Sequence, residues 1–500
     1  MDETELKFMV PAEQLAGVEK ALKRGRVRVE RLQAAYYDTA DERLARQRVA
    51  LRLRREGRRW VQTAKAETPH SLNRLEHDVP VTAPSRGREP PPLDVSRHDG
   101  TPAGDALRKA LGHGAGRERG SALSLRFGTD VSRMTRTVRV PGATVEIALD
   151  IGKIVAGGRE APICELEFEL KRGGIEPLIG LAAQWADRHG LALSTLSKAE
   201  RGARLARGQA EGSPVAATTP RTGASVGAAA FLAAAIERCL TQVFANASEL
   251  AAGAVDEGFV HQLRIGLRRL RTALREMGDF GEPVDADWEP TLRSAFCELG
   301  EHRDAAVVLP SIGVDVLAAG APALTAPQPL HRARRPATIA GDPVLQRTLL
   351  AILAYGHRQE AQAADSSPGA TPVRQLVARR LEKLQRRVER DARRFARLEP
   401  EGRHRVRKRL KRLRYLSEFA APLFGPKRVE RYLGKWRKAQ DALGKYNDER
   451  IAADTFQTQA AAEPSAWFAV GWLAANKKQS IDSCQIALRR ASKAERFWRS

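Results

Sequence analysis

Residues 3–8 read ETELKF, and their period is two: Glu3, Glu5 and Lys7 fall on one side of a strand, Thr4, Leu6 and Phe8 on the other. An antiparallel strand ordinarily turns its apolar side inward and its charges to water. Here two carboxylates and an ammonium share one face, and that face is either solvated or lines an enclosure. Other strands pose the same choice. In ALRLRRE (50–56), Arg52 and Arg54 oppose Leu51 and Leu53; in VEIALD (145–150), Glu146 and Asp150 oppose Val145, Ile147 and Leu149. In CELEFELK (164–171), Glu165, Glu167 and Glu169 oppose Leu166, Phe168 and Leu170. Lys65 closes WVQTAK (60–65), and Arg74, Glu76 and Asp78 alternate in NRLEHDV (73–79).

A solvated face accounts for any one of these strands. Together they carry bare Arg and Lys or bare Glu and Asp, with few of the Thr, Ser and Gln that usually fill exposed faces. A sheet closed into a barrel, its apolar face packed outward on helices and its charged face lining a tunnel, satisfies all of them. Like charges in a lumen are costly without counter-charges. Glutamates would need divalent cations, and arginines and lysines an anion; a phosphate chain with bound metal supplies both.

The whole chain has 500 residues, too many for one ordinary core, so two or three domains are expected. Its net charge of +24 points to an anionic partner, while aromatics at only 5% weaken the case for single strands read by base stacking. The four cysteines (Cys164, Cys239, Cys297, Cys484) are scattered, which argues against a zinc site or a disulfide framework and suits a reducing cytoplasm. The acidic, strand-like N-terminus is unlike a signal peptide. The most apolar run, VGAAAFLAAAIERCL (226–240), is too short for a membrane span and ends in charge, so no membrane partner is expected.

Residues 208–226, small, polar and rich in Pro and Gly, read as a linker. The dominant period before it is two and after it 3.6. The first part (1–207) is α+β, with roughly eight antiparallel strands forming a barrel or sandwich, helices near 11–24, 40–47 and 175–190, and an interruption at 84–122 holding one short helix. The second part (227–500) is almost wholly helical and repeats itself. HQLRIGLRRLRTALREMGDFG (261–281) is echoed by HRVRKRLKRLRYLSEFAAPLFG (404–425), and LGEHRDAAVV (299–308) by LGKYNDERIA (443–452), which indicates a duplicated unit.

In the first copy His261, Arg264, Arg268, Arg271 and Arg275 are spaced 3, 4, 3, 4; in the second His404, Arg407, Lys411 and Arg414 are spaced 3, 4, 3. Each set forms one stripe of a helix, beside an apolar stripe (Leu263, Leu267, Leu270 and Leu274; Val406, Leu410 and Leu413) suited to a core. A solvated face would mix signs, but these stripes are nearly free of acid, and their mutual repulsion makes sense if an anionic polymer lies along them. No helix-turn-helix or RNA-binding signature accompanies them, so no specific nucleic acid is expected. Tyr37 and Asp38 read as structural residues at a strand end, and His70, His77 and His98 as surface residues.

ETELK resembles the Glu-x-Glu-x-Lys signature of the CYTH domains of the triphosphate tunnel metalloenzymes. YYDT (36–39), ALRLR (50–54), TAK (63–65), RLE (74–76), EIALDIGKI (146–154), CELEFELK (164–171) and LSKAERG (196–202) follow in the family's order. The resemblance covers 1–207 and implies an eight-stranded antiparallel tunnel that hydrolyses a triphosphate, most simply inorganic triphosphate, with Mg2+ or Mn2+. Carried over residue by residue, it implies Glu3, Glu5, Glu165 and Glu167 as metal ligands with Asp150 as an addition, in an oxygen-rich site suited to a hard cation. It implies Lys7, Arg52, Arg54, Lys65, Arg133 and Lys198 as phosphate ligands, joined by Arg74 and Arg126. Lys65 would assist the leaving phosphate and Glu5 would orient water. The helical repeats resemble the CHAD domain, which implies two similar four-helix bundles whose basic stripes bind long-chain polyphosphate; Asn447 departs from the pattern where the first copy has Arg303. The combined expectation is a cytoplasmic triphosphatase that holds polyphosphate, associated with polyphosphate granules. The alternative is a polyphosphate-binding scaffold with little turnover.

Overall fold

The structure is a computed structural model that describes residues 2–68, 73–82, 90–112, 122–220, 222, 226–322, 324, 334–363 and 371–499. His70 and parts of the 84–122 and 310–340 segments lie outside the described residues. The chain forms two compact units, one of Met1–Pro214, Phe244–Ala254 and Ala340–Ala354, the other of Val215–Val243, Val255–Ile339 and Tyr355–Ser500.

The period-two segments of the first unit become nine strands: β1 (Asp2–Met9), β2 (Arg28–Asp38), β3 (Val49–Glu56), β4 (Arg59–Glu67), β5 (Asn73–Val81), β6 (Ser124–Val140), β7 (Ala143–Ala156), β8 (Arg159–Gly173) and the two-residue β9 (Ala192–Leu193). They are ordered β5-β4-β3-β2-β6-β7-β8-β1-β9, and β5 also pairs with β1. Eight antiparallel strands thus close on themselves, with β9 attached beside β1. The register carries the sequence alternation straight into the ring, with Glu3 opposite Arg74, Lys65 opposite Glu76, Arg133 opposite Asp150 and Lys7 opposite Glu167.

Because side chains alternate, the other face turns outward, and on most strands it is apolar; β2 and β6 are the exception, with Arg31 and Gln33 bonded to Asp130 on the exposed side. Leu51, Ala64 and Ala66 pack with Ala103, Leu107 and Leu111, so the sheet is covered on that side by a helix. The helices of this part of the chain are α1 (Leu15–Leu22), α2 (Arg43–Arg46), α3 (Pro102–Leu111), α4 (Ile175–His189) and α5 (Lys198–Arg207). α3 supplies that cover. On α4, Trp185 meets Phe168 of β8 edge-on at 6.0 Å.

α5 starts where Ser197 accepts a hydrogen bond from Glu200 N at 3.1 Å, placing Lys198 in its first turn. It seats closely on the sheet: a Cβ on Gly202 would lie 2.1 Å from the Phe127 ring. Asp38, read as structural, accepts from Leu44 N and Ala45 N, both at 2.9 Å, and so starts α2. The histidine reading needs correcting. His98 is fully buried on the outer face of the barrel, with its Nε2 3.0 Å from Gln62 and its Nδ1 3.0 Å from His77. Burial, with His77 alongside, pushes it down to about 4.

The remaining helices are α6 (Ala228–Ala251), α7 (Glu257–Met277), α8 (Trp288–Arg303), α9 (Leu309–Ala318), α10 (Pro336–Ala340), α11 (Pro343–Ala363), α12 (Val373–Ala392), α13 (Pro400–Phe424), α14 (Pro426–Gln459) and α15 (Trp467–Ala491). The sequence reading cut the apolar run at residue 240, but α6 continues to Ala251. It is long and apolar enough to cross a membrane by length and composition alone, with an 18-residue window of mean hydropathy 1.4. Of that window 56% is buried inside the protein, and Phe231, Leu232, Ile236 and Leu240 are core residues. Its charged pair Glu237–Arg238, 3.1 Å apart, does not end the helix.

In the second unit α12 to α15 close a four-helix ring, each packing on the next and α15 on α12. α7 packs on α8 and on α13, which brings the two duplicated basic helices together. Their leucine stripes are buried as expected. Arg269 is also buried; it pairs with Glu418 of α13, donates to Thr218 O at 2.9 Å and stacks over Phe419 at 4.8 Å. The copies differ at their second echo. Asp304–Val308 forms a widened π-helical turn between α8 and α9, whereas Asp448 sits in the unbroken α14. α9 in turn packs Leu309, Ile312 and Val316 against Phe456 and Leu473 of α14 and α15.

Candidate functional site

The closed barrel encloses a cavity of about 320 Å³ lined almost entirely by the inward, charged positions of the alternating strands. Nine lysines and arginines and ten carboxylates border it, so its wall is close to neutral. The acids form two groups. Asp150, Glu165 and Glu167 hold carboxylate oxygens all within 4.8 Å of one another. Lys198 reaches in from α5, 2.7 Å from Asp150 and 2.8 Å from Glu167, and also pairs with Glu165. Arg133 spans Asp150 and Glu167 at 2.6 Å each. Glu165 is buried and does not itself border the open cavity.

The second group is Glu3, Glu5 and Glu76. Lys65 pairs with Glu3 and lies 3.3 Å from Glu76 and 4.0 Å from Glu5; Arg74 pairs with Glu5, and Arg52 lies 3.4 Å from Glu76.

Burial and charge pull these groups apart. Burial pushes Glu3 up to about 8 even against Lys65, with Glu5 and Glu76 adding to the rise. For Glu76 burial acts the same way, but Lys65 and Arg52 outweigh it and hold the carboxyl at about 2. Burial likewise opposes ionisation of Asp150 and Glu167, yet Lys198 and Arg133 keep both below the usual carboxylate range. Burial also depresses Lys7 and Arg54, leaving a buried ammonium and guanidinium suited to gaining an anion.

All the lumen residues proposed from sequence meet here except Arg126. Arg126 is the extra residue at a break in the β2–β6 register, where pairing passes from Tyr36–Phe127 to Tyr37–Leu125. It borders an adjoining cavity of about 400 Å³, which shares Lys65 and Arg74 with the lumen wall, and lies 3.4 Å from Glu42. Sequence reasoning passed over Glu76, Asp78, Glu30, Glu56, Glu146 and Glu169 as site residues, although each shares the parity of a named lumen position and borders the cavity.

The second unit holds a larger groove of about 660 Å³, whose lining has thirteen arginines and lysines against four carboxylates. Arg264, Arg268, Arg271 and Arg275 enter from α7, and His404, Arg407 and Lys411 from α13. Phe296 of α8 lies beneath three of them, with guanidinium carbons 5.0, 4.5 and 5.6 Å from its ring centre for Arg264, Arg268 and Arg271.

Two residues of the proposed stripes do not line the groove. His261 is exposed beside it, and Arg414 is held by Glu418 at 2.7 Å and Gln440 at 3.1 Å. Arg293, Arg303, Lys408, Arg412 and Arg450 line it without having been singled out from sequence. The electrostatics are one-sided. Burial and neighbouring cations push Arg264 down to about 10, Lys411 to about 8 and His404 to about 4. Crowded, under-neutralised positive charge of this kind marks a site built for a polyanion.

A closed antiparallel barrel with a metal-ready, charged lumen, joined in one chain to a helical region with a cationic groove, defines a two-domain class. Family models match residues 1–203 as a CYTH domain and residues 234–457 as a CHAD domain, so this chain carries a CYTH domain followed by a CHAD domain. The inorganic triphosphatase of Haemophilus influenzae is 30% identical over 177 residues, covering 33% of this chain and 44% of that one; the chain thus spans less than half of that relative's length. The CHAD domain of the plant Ricinus communis is 24% identical, with a TM-score of 0.45, over 55% of this chain and 96% of that one. A Hippeastrum protein described as having a dominant triphosphatase activity is 17% identical, with a TM-score of 0.29, over 41% of this chain and 96% of that one.

Proposed function

We propose that the barrel hydrolyses inorganic triphosphate with a divalent cation, Mg2+ or Mn2+, while the helical domain binds long-chain polyphosphate. The charge balance of the lumen carries this reading. Its nine cations are already matched by ten carboxylates, so a bare triphosphate would add uncompensated negative charge to a confined space. Divalent cations would restore the balance, and two carboxylate groups are placed to hold them: Asp150 and Glu167 on the cavity wall with Glu165 buried beside them, and Glu3 with Glu5. An all-oxygen donor set suits a hard cation. When bound, the metal neutralises phosphoryl oxygens and polarises them toward attack.

The chain's own residues supply the rest. Arg52, Arg54, Lys7 and Arg133 offer donors along the wall to position the phosphate chain. Lys65 stays protonated, because Glu5 and Glu3 outweigh its burial, and can neutralise the leaving phosphate. Lys198, paired with Asp150, Glu165 and Glu167, would be free to turn to phosphate oxygens if a cation were held by those carboxylates. The groove, with no such carboxylate balance, takes a polyanion without help from metal.

The test is phosphate release from tripolyphosphate in Mg2+, Mn2+ or EDTA by wild type, Glu5→Gln and Glu167→Gln. Metal-dependent turnover, reduced by roughly a hundredfold or more in both variants, is expected. Absence of wild-type turnover, with polyphosphate still bound, would overturn the enzymatic reading and leave a polyphosphate-binding scaffold.

A further inference from the structure

A small cavity of about 130 Å³ adjoins the large groove. Arg275 and Arg412 border both, so the two are neighbours across a shared wall. The wall of the small cavity is completed by Arg380, Lys383 and Arg387 of α12. These continue to Arg390 with spacings of 3, 4 and 3, the spacing of the cationic stripe on α7, while Val377, Leu381, Leu384 and Val388 take the buried side of the same helix. α12 therefore presents a third helical row of cations, about one per 5.4 Å turn, at the end of the groove.

The row is only partly neutralised. Arg380 pairs with Asp279, and Arg412 lies 3.0 Å from Glu276. Lys383 and Arg387 are exposed and have no carboxylate partner among the described residues.

We propose that Arg380, Lys383 and Arg387 form an extension subsite onto which a polyphosphate chain runs once it has filled the groove, so that binding strengthens with chain length. This rests on the polyphosphate reading of the helical domain given above. The ligand chemistry follows from the lining. It contains five cations, one carboxylate and a leucine, and no aromatic ring on which a base could stack. A chain whose every unit is an anion fits it better than a nucleic acid.

The experiment compares full-length wild type with the double variant Lys383→Gln/Arg387→Gln. Both substitutions are on exposed positions, and circular dichroism would verify the fold. Affinity for tripolyphosphate, a short-chain and a long-chain polyphosphate is measured across a salt series. Long chains should bind wild type more tightly than short ones, and the variant should lose that advantage. For long chains alone, the slope of log K against log salt should fall by about 1.4, two contacts at about 0.7 each. An unchanged variant, or one weakened equally for every length, overturns the extension while leaving the groove reading intact. Wild type that binds no polyphosphate overturns the groove reading itself. Single-stranded DNA that outcompetes long-chain polyphosphate through these two residues overturns the choice of ligand.

Discussion

Replacing Lys198 by Met tests the electrostatic logic of the lumen without opening a cavity. Its ammonium lies 2.7 Å from Asp150 and 2.8 Å from Glu167 and pairs with Glu165; Arg133 shares Asp150 and Glu167 at 2.6 Å each, and Arg201 lies farther off, 3.8 Å from Glu165. Without Lys198, three carboxylates within 4.8 Å keep Arg133 on two of them and only the more distant Arg201 on Glu165. At an effective dielectric of 20, two charges at that separation repel by about 3.5 kcal/mol, so the carboxyl left without a close partner takes up a proton instead. Holding an ordinary aspartate protonated at pH 7 costs about 1.36 kcal/mol for each of roughly three pH units, or about 4 kcal/mol. That agrees with the ~3–5 kcal/mol cost of breaking a buried ion pair. For a unit of this size it should lower the melting temperature by about 8–16 °C.

The sign with pH follows. Asp150 and Glu167 are held below their unfolded values, so the stability Lys198 confers is present at neutral pH and fades as pH falls through the carboxylate range. Calorimetry in EDTA would show the loss. Adding Mn2+ should narrow the gap between variant and wild type, because the cation replaces the missing ammonium. Lys171→Met serves as the control, since Lys171 is 40% exposed and pairs only with Glu146 and Glu169; it should cost under about 1 kcal/mol. A Lys198→Met protein that melts with wild type in EDTA, or that Mn2+ stabilises no more than wild type, would refute the argument.

Other outcomes follow from the same geometry. Lys411 is pushed down to about 8, so polyphosphate affinity should weaken as pH rises from 7 to 9, and Lys411→Arg should flatten that profile in binding titrations. Over the range from about 8 to 10.5 the unliganded protein should gain stability, since protonated Lys411 is the costly form. Phe296→Leu removes the ring beneath three arginines and should weaken polyphosphate binding about 5–30-fold, with the salt slope unchanged because no charge is lost. Gly202→Ala would drive a Cβ into the Phe127 ring and displace α5; thermal melts should record a loss of about 1–3 kcal/mol, and turnover should fall with it because Lys198 rides on that helix.

The lumen was legible because a strand alternates strictly, so one inward residue fixes its neighbours two away. ETELKF, ALRLRRE and CELEFELK needed no more than that. Arg126, suggested by the resemblance, could not be placed by alternation, because it is the extra residue where the β2–β6 register breaks. The place of Lys198 was readable only through resemblance, since no period in the sequence tells how α5 seats against Phe127. In the groove, the stripes on α7 and α13 were visible at helical spacing. Its far wall was not, because Arg293, Arg303 and Arg450 are single residues brought in by tertiary packing. Arg414 kept the right spacing and was still taken out of the groove, by a glutamate four residues on. His98 looked like a surface residue because nothing local reveals that Gln62 and His77 enclose it.

The eight-stranded ring has a topological consequence. A cleft can close sideways on the middle of a long molecule, but a sheet with no free edge cannot. Whatever enters this barrel must come in through an end of the ring. For a long anion this favours end-on entry over sideways capture of its middle.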